Sequence, residues 1–237
     1  MKNWAKIVLL AALLAALPSA VNAAEFFSLF NTVAYKNESL DVLPQWQRVL
    51  EEIDAEKEDY STCIDTSDPC SPRALLAWRA MIKGQSGLSK MAQMRAVNHF
   101  VNQWAPIKDI DNHRQQDFWS SPLTFLRRSG DCEDYAIIKY VSLREMGFDA
   151  AQLRIVVVRD TLRELAHAIL AVQHEGEIFI LDNLNQAVLP QTKVRQYLPY
   201  YSVNELARWA HLPPDSLMLS STEWSVMPSA TAIDDFF

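Results

Sequence analysis

Glycine, long apolar runs and clusters of positive charge are all scarce in this chain of 237 residues. Only five glycines occur, and there is no low-complexity linker or internal repeat, which favours one compact domain. After the N-terminal segment, no apolar run is long enough to span a membrane. The formal charge is -7 without a basic cluster, which argues against binding to nucleic acid or to an anionic membrane surface.

The first 23 residues have the pattern of a secretory signal peptide. Lys2 and Lys6 precede the apolar run 7–17, and Val21-Asn22-Ala23 places small residues where a signal peptidase reads the chain. A membrane anchor is the alternative, but it needs about 20 apolar residues and this run is shorter. We expect cleavage after Ala23 and a single mature domain over 24–237.

Cysteine is also scarce, and the three residues have different surroundings. Cys63 and Cys70 lie in a polar, turn-rich segment, and in an oxidising compartment their spacing favours a local disulfide. Such a bridge would stabilise the fold by roughly 2–3 kcal/mol, whereas two free thiols are the alternative. Cys132 is left over, which indicates either a reactive thiol or an intermolecular bridge.

Hydrophobic periodicity predicts helices first and strands afterwards. The helical segments are 43–58, 73–82, a helix capped by Ser89, and 132–146 with Gly147 in a left-handed conformation after its last turn. Three apolar segments predict strands at 154–159, 167–172 and 177–181, and a further helix is expected around 203–210. This order predicts an α+β fold in which the helix at 132–146 packs on an antiparallel sheet.

The segment Ser129–Tyr135 places one cysteine among three carboxylates at the expected start of a helix. Acidic neighbours raise the pKa of a thiol, whereas a helix N-terminus lowers it. Taken alone, Asp131, Glu133 and Asp134 are best explained as residues that cap the helix and favour its dipole.

A base for this thiol is predicted on the hairpin around residues 173–176. A four-residue loop would pair His167 with Asp182, and a two-residue loop at Glu175-Gly176 would make them diagonal neighbours. Both registers keep the two side chains on one face of the sheet, although a bulged three-residue loop would not. Cys132, His167 and Asp182 then supply a nucleophile, a base and an orienting carboxylate, and a polar pair at a strand end is the alternative. The remaining histidines are expected to be surface or structural residues: His99, His113, His174 and His211.

The motifs Gly130–Tyr135, Ala166-His167-Ala168 and Leu181-Asp182-Asn183 resemble the transglutaminase-like cysteine proteinase core. More narrowly, the chain is similar to the bacterial LapG-type periplasmic proteases over a core of about 43–212. This resemblance implies a papain-like α+β fold and a Cys132-His167-Asp182 catalytic triad.

The resemblance also implies a metal, a substrate and a regulator. Asp131 and Glu133 match positions linked to calcium in that family, and Asp134 lies beside them. Members cleave a large surface adhesin near its N-terminus, which lets cells leave a biofilm. An inner-membrane cyclic-di-GMP receptor restrains the protease from the periplasmic side. An exposed aromatic residue such as Trp46 or Trp119 would be a suitable anchor for the receptor. Backbone N–H groups near Cys132, helped by a donor such as the Trp119 indole, would bind the oxyanion.

Three other functions are compatible with the sequence. A transglutaminase or a cell-wall amidase would use the same triad, because hydrolysis and transfer to an amine differ only in the acceptor. An inactive domain that only binds a receptor, or a chain whose Cys132 forms an interchain disulfide, would need no triad at all.

Overall fold

The computed structural model describes residues 28–62 and 73–214. The predicted signal peptide at 1–23 and the predicted Cys63–Cys70 disulfide lie outside the described residues. Within the described part, no helix is long and apolar enough to cross a membrane.

The described residues form an α+β fold, as predicted from the element order. The helices are α1 Pro44–Thr62, α2 Arg73–Gly84, α3 Lys90–Val101, α4 Asp109–Asn112, α5 Pro122–Arg128 and α6 Cys132–Glu145. The strands are β1 Val33–Asn37, β2 Leu153–Asp160, β3 Leu165–His174, β4 Glu177–Asp182, β5 Asn185–Pro190, β6 Tyr197–Val203 and β7 Arg208–Leu212.

Local signals set the helix ends that were predicted. The Ser89 hydroxyl accepts a hydrogen bond from the Ala92 amide at 3.3 Å and begins α3. Gly147 follows α6 with a φ of 80°, a left-handed conformation that glycine adopts without strain. These helices are therefore confirmed, with ends that differ by a few residues from those predicted.

The seven strands form one antiparallel sheet in the order β1-β7-β6-β2-β3-β4-β5. Because side chains alternate along a strand, the sheet has two apolar faces. Ile155, Leu170 and Leu181 belong to the core shared with the helices. Val158, Ile169 and further residues form a second cluster on the opposite face.

The hairpin between β3 and β4 has the shorter of the two predicted loops. His174 pairs with Glu177, and the turn residues Glu175 and Gly176 both have positive φ, as a two-residue hairpin loop requires. Leu170 faces Leu181 in this register. His167 and Asp182 are therefore diagonal neighbours.

The helix predicted around 203–210 is wrong, because this segment is the end of β6, the turn after it and the first residues of β7. The Asn204 carboxamide oxygen accepts hydrogen bonds from the Leu206 and Ala207 amides, at 2.8 and 3.1 Å, and so closes a tight turn. The Asn204 amide nitrogen donates to the Ala150 carbonyl at 2.8 Å. Tertiary contacts therefore override the helical spacing of the apolar residues.

His211 on β7 is a structural histidine, as expected for the residues outside the proposed triad. It is buried between the hydroxyls of Thr32 and Ser202, whose oxygens lie 3.1 and 2.8 Å from its two ring nitrogens. Burial, and then the nearby charge of Arg154, lower its pKa to about 4. His211 is thus held neutral in the folded protein near pH 7.

Candidate active site

At the start of α6, the Asp134 side chain lies so close to Gly130 that it leaves no room for a Cβ. The Asp134 carboxylate folds back and accepts hydrogen bonds from the Ser120 amide at 2.6 Å and from the Asp131 amide at 3.3 Å. A Cβ on Gly130 would lie 1.8 Å from an Asp134 oxygen. The glycine therefore lets Asp134 tie the loop before α5 to the first turn of α6, directly beside Cys132.

The Cys132 thiol is half-buried at the first residue of α6. It donates a hydrogen bond to Glu133 Oε2 at 3.2 Å, and the Ala168 amide of β3 hydrogen-bonds to the sulfur. Burial, followed by the charges of Glu133 and Asp131, raises the pKa of this thiol well above its usual value. Among the described residues, the thiol makes no hydrogen bond to the imidazole of His167, the residue before Ala168.

His167 and Asp182 form a buried pair on neighbouring strands. His167 Nε2 lies 2.9 Å from Asp182 Oδ1, which also accepts the Leu184 amide at 3.0 Å. Asp182 Oδ2 accepts the Tyr197 hydroxyl at 2.6 Å. Burial acts to raise the pKa of Asp182. The hydrogen bond from His167 and its charge, together with the hydrogen bonds from Tyr197 and Leu184, hold this pKa below its usual value. An ionised Asp182 places the imidazole proton on Nε2 and leaves Nδ1 able to accept a proton.

Two asparagines of α3 hold the turn that carries Asp182. Asn102 Nδ2 donates to the Asp182 carbonyl at 2.8 Å, and Asn98 Nδ2 donates to the Asn185 carbonyl at 2.8 Å. Neither residue was predicted from the sequence. The pattern that could have revealed them is a pair of asparagine side chains four residues apart, because such side chains lie on one face of a helix.

Five carboxylates gather at the start of α6: Asp109, Asp117, Asp131, Glu133 and Asp134. Oxygens of Asp109, Asp131 and Asp134 lie within 4.8 Å of one another, and so do those of Asp109, Asp117 and Glu133. Only the three carboxylates around Cys132 were predicted from the sequence. Asp109 and Asp117 come from the polar loop before α5, and only the fold brings that loop to α6.

The cluster fits a hard divalent cation, since carboxylate oxygens at this density are the ligands that calcium prefers. Asp109 Oδ1 and Asp131 Oδ1 are buried and have no hydrogen-bond partner among the described residues. Among the described residues, no lysine or arginine forms an ion pair with Asp109, Asp131, Glu133 or Asp134. Burial, and the charges of Asp131 and Asp117, raise the pKa of Asp109 to about 7 against the hydrogen bond from the Phe118 amide. A bound cation would relieve this accumulation of negative charge.

The two tryptophans expected as exposed anchors are buried, so that prediction is wrong. Trp46 is 0% and Trp119 5% exposed, and their rings pack against each other with centroids 6.2 Å apart. The Trp46 indole donates to the Asn204 carbonyl at 3.0 Å. The Trp119 indole donates to Asp117 Oδ1 at 2.9 Å, so it is not free to bind an oxyanion in this structure.

Lys139 is a buried charge beneath this site. It lies on α6 two turns after Cys132, is 1% exposed, and its Nζ has no hydrogen-bond partner among the described residues. Its nearest aromatic ring is that of Tyr135, whose centroid lies 5.8 Å from Nζ. Burial lowers its pKa to about 7, which the charge of Asp182 only partly offsets.

Replacing Lys139 with methionine should therefore raise the free energy of unfolding by roughly 1–3 kcal/mol at pH 7. The unfolded lysine binds a proton below about pH 10.4, whereas the folded lysine does so only below about 7. The parent protein thus loses stability as the pH falls from 10 to 7. The rise in the free energy of unfolding caused by Lys139→Met should therefore be larger at pH 7 than at pH 10. Urea unfolding at both pH values measures it, with the exposed Lys83→Met as control. An equal gain in both variants would contradict the assignment.

A model of the bacterial transglutaminase-like cysteine proteinases (BTLCP) matches residues 58–216. No curated protein matches the chain.

Solved structures of LapG from Legionella pneumophila are similar to the chain. One has 30% sequence identity, with a TM-score of 0.57, over 65% of this chain and 86% of its own. The EGTA-treated form has 26% identity over 76% and 97% of the two chains, with a TM-score of 0.57. The calcium-bound form has 25% identity over 80% and 97%, with a TM-score of 0.55.

The family match covers more than half of the chain and includes Cys132, His167 and Asp182. The similar LapG structures agree with it in fold. The chain belongs to the family of bacterial transglutaminase-like cysteine proteinases.

Proposed function

We propose that this protein is a periplasmic, calcium-dependent cysteine endopeptidase that cleaves the N-terminal region of a large surface adhesin. Release of the adhesin would promote biofilm dispersal, and the periplasmic domain of an inner-membrane cyclic-di-GMP receptor would restrain the enzyme. One observation carries the proposal. The His167 imidazole is held by the buried Asp182, with Nε2 2.9 Å from Oδ1, and a backbone hydrogen bond from Ala168, the residue after His167, reaches Cys132.

Cys132, His167 and Asp182 act as nucleophile, base and orienting carboxylate in this proposal. His167 Nδ1 takes the thiol proton, and the Cys132 sulfur attacks the scissile carbonyl carbon. When the tetrahedral intermediate collapses, the C–N bond breaks and His167 gives its proton to the leaving amine. Water, deprotonated by His167, then attacks the thioester carbon. When this second tetrahedral intermediate collapses, the C–S bond breaks, His167 returns its proton to the Cys132 sulfur, and the product acid is released.

The acidic cluster supports the calcium part of the proposal. Asp109, Asp117, Asp131 and Glu133 would hold the ion, and Asp134 would brace the same turn through its two amide donors. A calcium ion would supply positive charge that offsets the carboxylates around the thiol. The existence of calcium-bound and EGTA-treated structures of Legionella LapG points in the same direction.

Purified protein should cleave an N-terminal adhesin fragment in calcium and should lose that activity in EGTA. Electrophoresis and mass spectrometry of the products measure the cleavage, with a composition-matched scrambled fragment as control. Cleavage that survives EGTA would remove calcium from the proposal, and intact fragments under all conditions would remove the adhesin. A primary amine in the same incubation tests the alternative of a transglutaminase, because an amide product in place of the free acid identifies amine transfer.

Restraint by the receptor has a separate test. The periplasmic domain of a candidate cyclic-di-GMP receptor should co-elute with the protease and slow cleavage in proportion to the fraction bound. Receptor that does not bind, while cleavage proceeds normally, would remove the regulator and leave the peptidase.

A further inference from the structure

Tyr197 contacts both members of the buried His167–Asp182 pair. Its hydroxyl donates to Asp182 Oδ2 at 2.6 Å, and its ring centroid lies 5.6 Å from that of the His167 imidazole. The ring of Phe30 packs edge-on against it at 6.2 Å. Tyr197 is 2% exposed and lies on β6, which is separated from the strand of Asp182 by β2 and β3. The side chain therefore reaches across two strands to a carboxylate.

The hydrogen bonds of Asp182 give the tyrosine hydroxyl a distinct task. Asp182 Oδ1 accepts hydrogen bonds from His167 Nε2 and from the Leu184 amide, whereas Oδ2 accepts its hydrogen bond from the Tyr197 hydroxyl. A buried carboxylate oxygen without a donor is unfavourable, and rotation of the carboxylate to find one would move Oδ1 away from the imidazole. The Tyr197 bond therefore opposes that rotation.

A cavity beside the pair gives the tyrosine ring a second task. The cavity has a volume of about 340 Å³, and Asp182, Tyr197 and Leu184 are among its lining residues. A smaller side chain at position 197 would enlarge this cavity towards the carboxylate. Water would then compete with the imidazole for Asp182.

We propose that Tyr197 is a positioning residue of this enzyme. Its hydroxyl keeps Asp182 Oδ1 directed at His167 Nε2, and its ring, packed beside the imidazole, limits how much water the adjoining cavity brings to the pair. The inference rests on the proposed function, because it takes His167 as the base and Asp182 as the residue that orients it. Tyr197 acts through Asp182 and need not contact substrate.

The kinetic test compares Tyr197→Phe with Tyr200→Phe. Tyr200→Phe removes the same hydroxyl from an exposed position of the same strand. We expect Tyr197→Phe to lower kcat about 10- to 100-fold with KM within about twofold of the parent, as for the loss of a hydrogen bond to a charged group. Tyr197→Leu should lower kcat further because the ring is also lost, and Tyr200→Phe should match the parent. A Tyr197→Phe variant with unchanged kcat would overturn the proposal.

A double-mutant cycle separates positioning from general stabilisation of the fold. In an Asp182→Ala background, Tyr197→Phe should cause no further loss of kcat, because the carboxylate through which it acts is absent. Equal fold-losses in both backgrounds would overturn the proposal. Asp182→Leu, which also removes every acceptor from the side chain, replaces Asp182→Ala in the cycle if circular dichroism shows that the alanine variant is unfolded.

A second readout does not depend on peptidase activity. In ¹⁵N-histidine-labelled protein, the proton on His167 Nε2 should exchange slowly with solvent, since it is buried and hydrogen-bonded to Asp182. A His167→Gln variant assigns the signal. Exchange should accelerate at least about tenfold in Tyr197→Leu, and an unchanged rate would overturn the proposal. If no adhesin fragment is cleaved, the proposed function fails, whereas this exchange still tests the role of Tyr197.

Discussion

Replacing Cys132 with alanine should abolish peptide-bond cleavage, with a loss in kcat/KM of roughly 10⁴-fold or more. The reason is chemical, because no other side chain at the start of α6 offers a nucleophile hydrogen-bonded to the backbone beside His167. The site is half-buried and alanine is smaller than cysteine, so the fold should be retained. Cleavage of the adhesin fragment by purified parent and variant, at matched circular dichroism, measures the effect.

The Cys132→Ala experiment has a control that identifies the thiol directly. Iodoacetamide should inactivate the parent as it alkylates Cys132, and peptide mapping should show that the two rates agree. His167→Ala should slow this alkylation, because the imidazole no longer takes the thiol proton. Full turnover by purified Cys132→Ala would exclude the triad. Alkylation of Cys132 without loss of cleavage would exclude it equally.

Removing calcium should lower both activity and thermal stability. Binding to the folded state stabilises it by about 2.7 kcal/mol when the free ion is at 100 times its Kd, so chelation should lower Tm by several degrees. Activity in EGTA should fall at least about 100-fold, because the carboxylates then keep the Cys132 thiol protonated. Calcium titrations followed by thermal unfolding and by cleavage measure both effects.

Asp109→Asn tests whether the loop before α5 belongs to the metal site. The substitution should abolish most of the stabilisation by calcium, and the metal-free variant should be at least as stable as the parent because one buried carboxylate is neutralised. Asp111→Asn is the matched control, since Asp111 is exposed on the same short helix. A calcium-induced rise in Tm that is equal in Asp109→Asn and the parent would place the ion elsewhere.

Local patterns predicted the helices and strands that carry the site. The cap at Ser89, the helix that begins at Cys132 and the shorter of the two possible hairpin loops, at Glu175-Gly176, depend on neighbours in sequence, and all three are present in the fold. The period of two along the hairpin also placed His167 and Asp182 on one face before their register was known. Short-range physics was sufficient for these features.

The errors occurred where distant segments decide the outcome. The apolar residues of 203–210 suit a helix by spacing, but the Asn204 turn and pairing with β1 and β6 make residues 208–210 part of β7, an inner strand of the sheet. Trp46 lies on the apolar face of α1, which is typical of a core residue, but no local pattern shows that Trp119 covers it. Their mutual contact joins α1 to the loop before α5, 73 positions along the chain.

The segment Gly130–Tyr135 shows the division between sequence and tertiary structure. The sequence by itself determined that a thiol and three carboxylates begin one helix, and that a histidine and an aspartate share one face of a hairpin. Only the tertiary structure brought Asp109 and Asp117 to those carboxylates, and Tyr197 to Asp182. The physical reason is that the first group of contacts follows from backbone periodicity. The second forms only when packing of the helices and the whole sheet brings distant segments together.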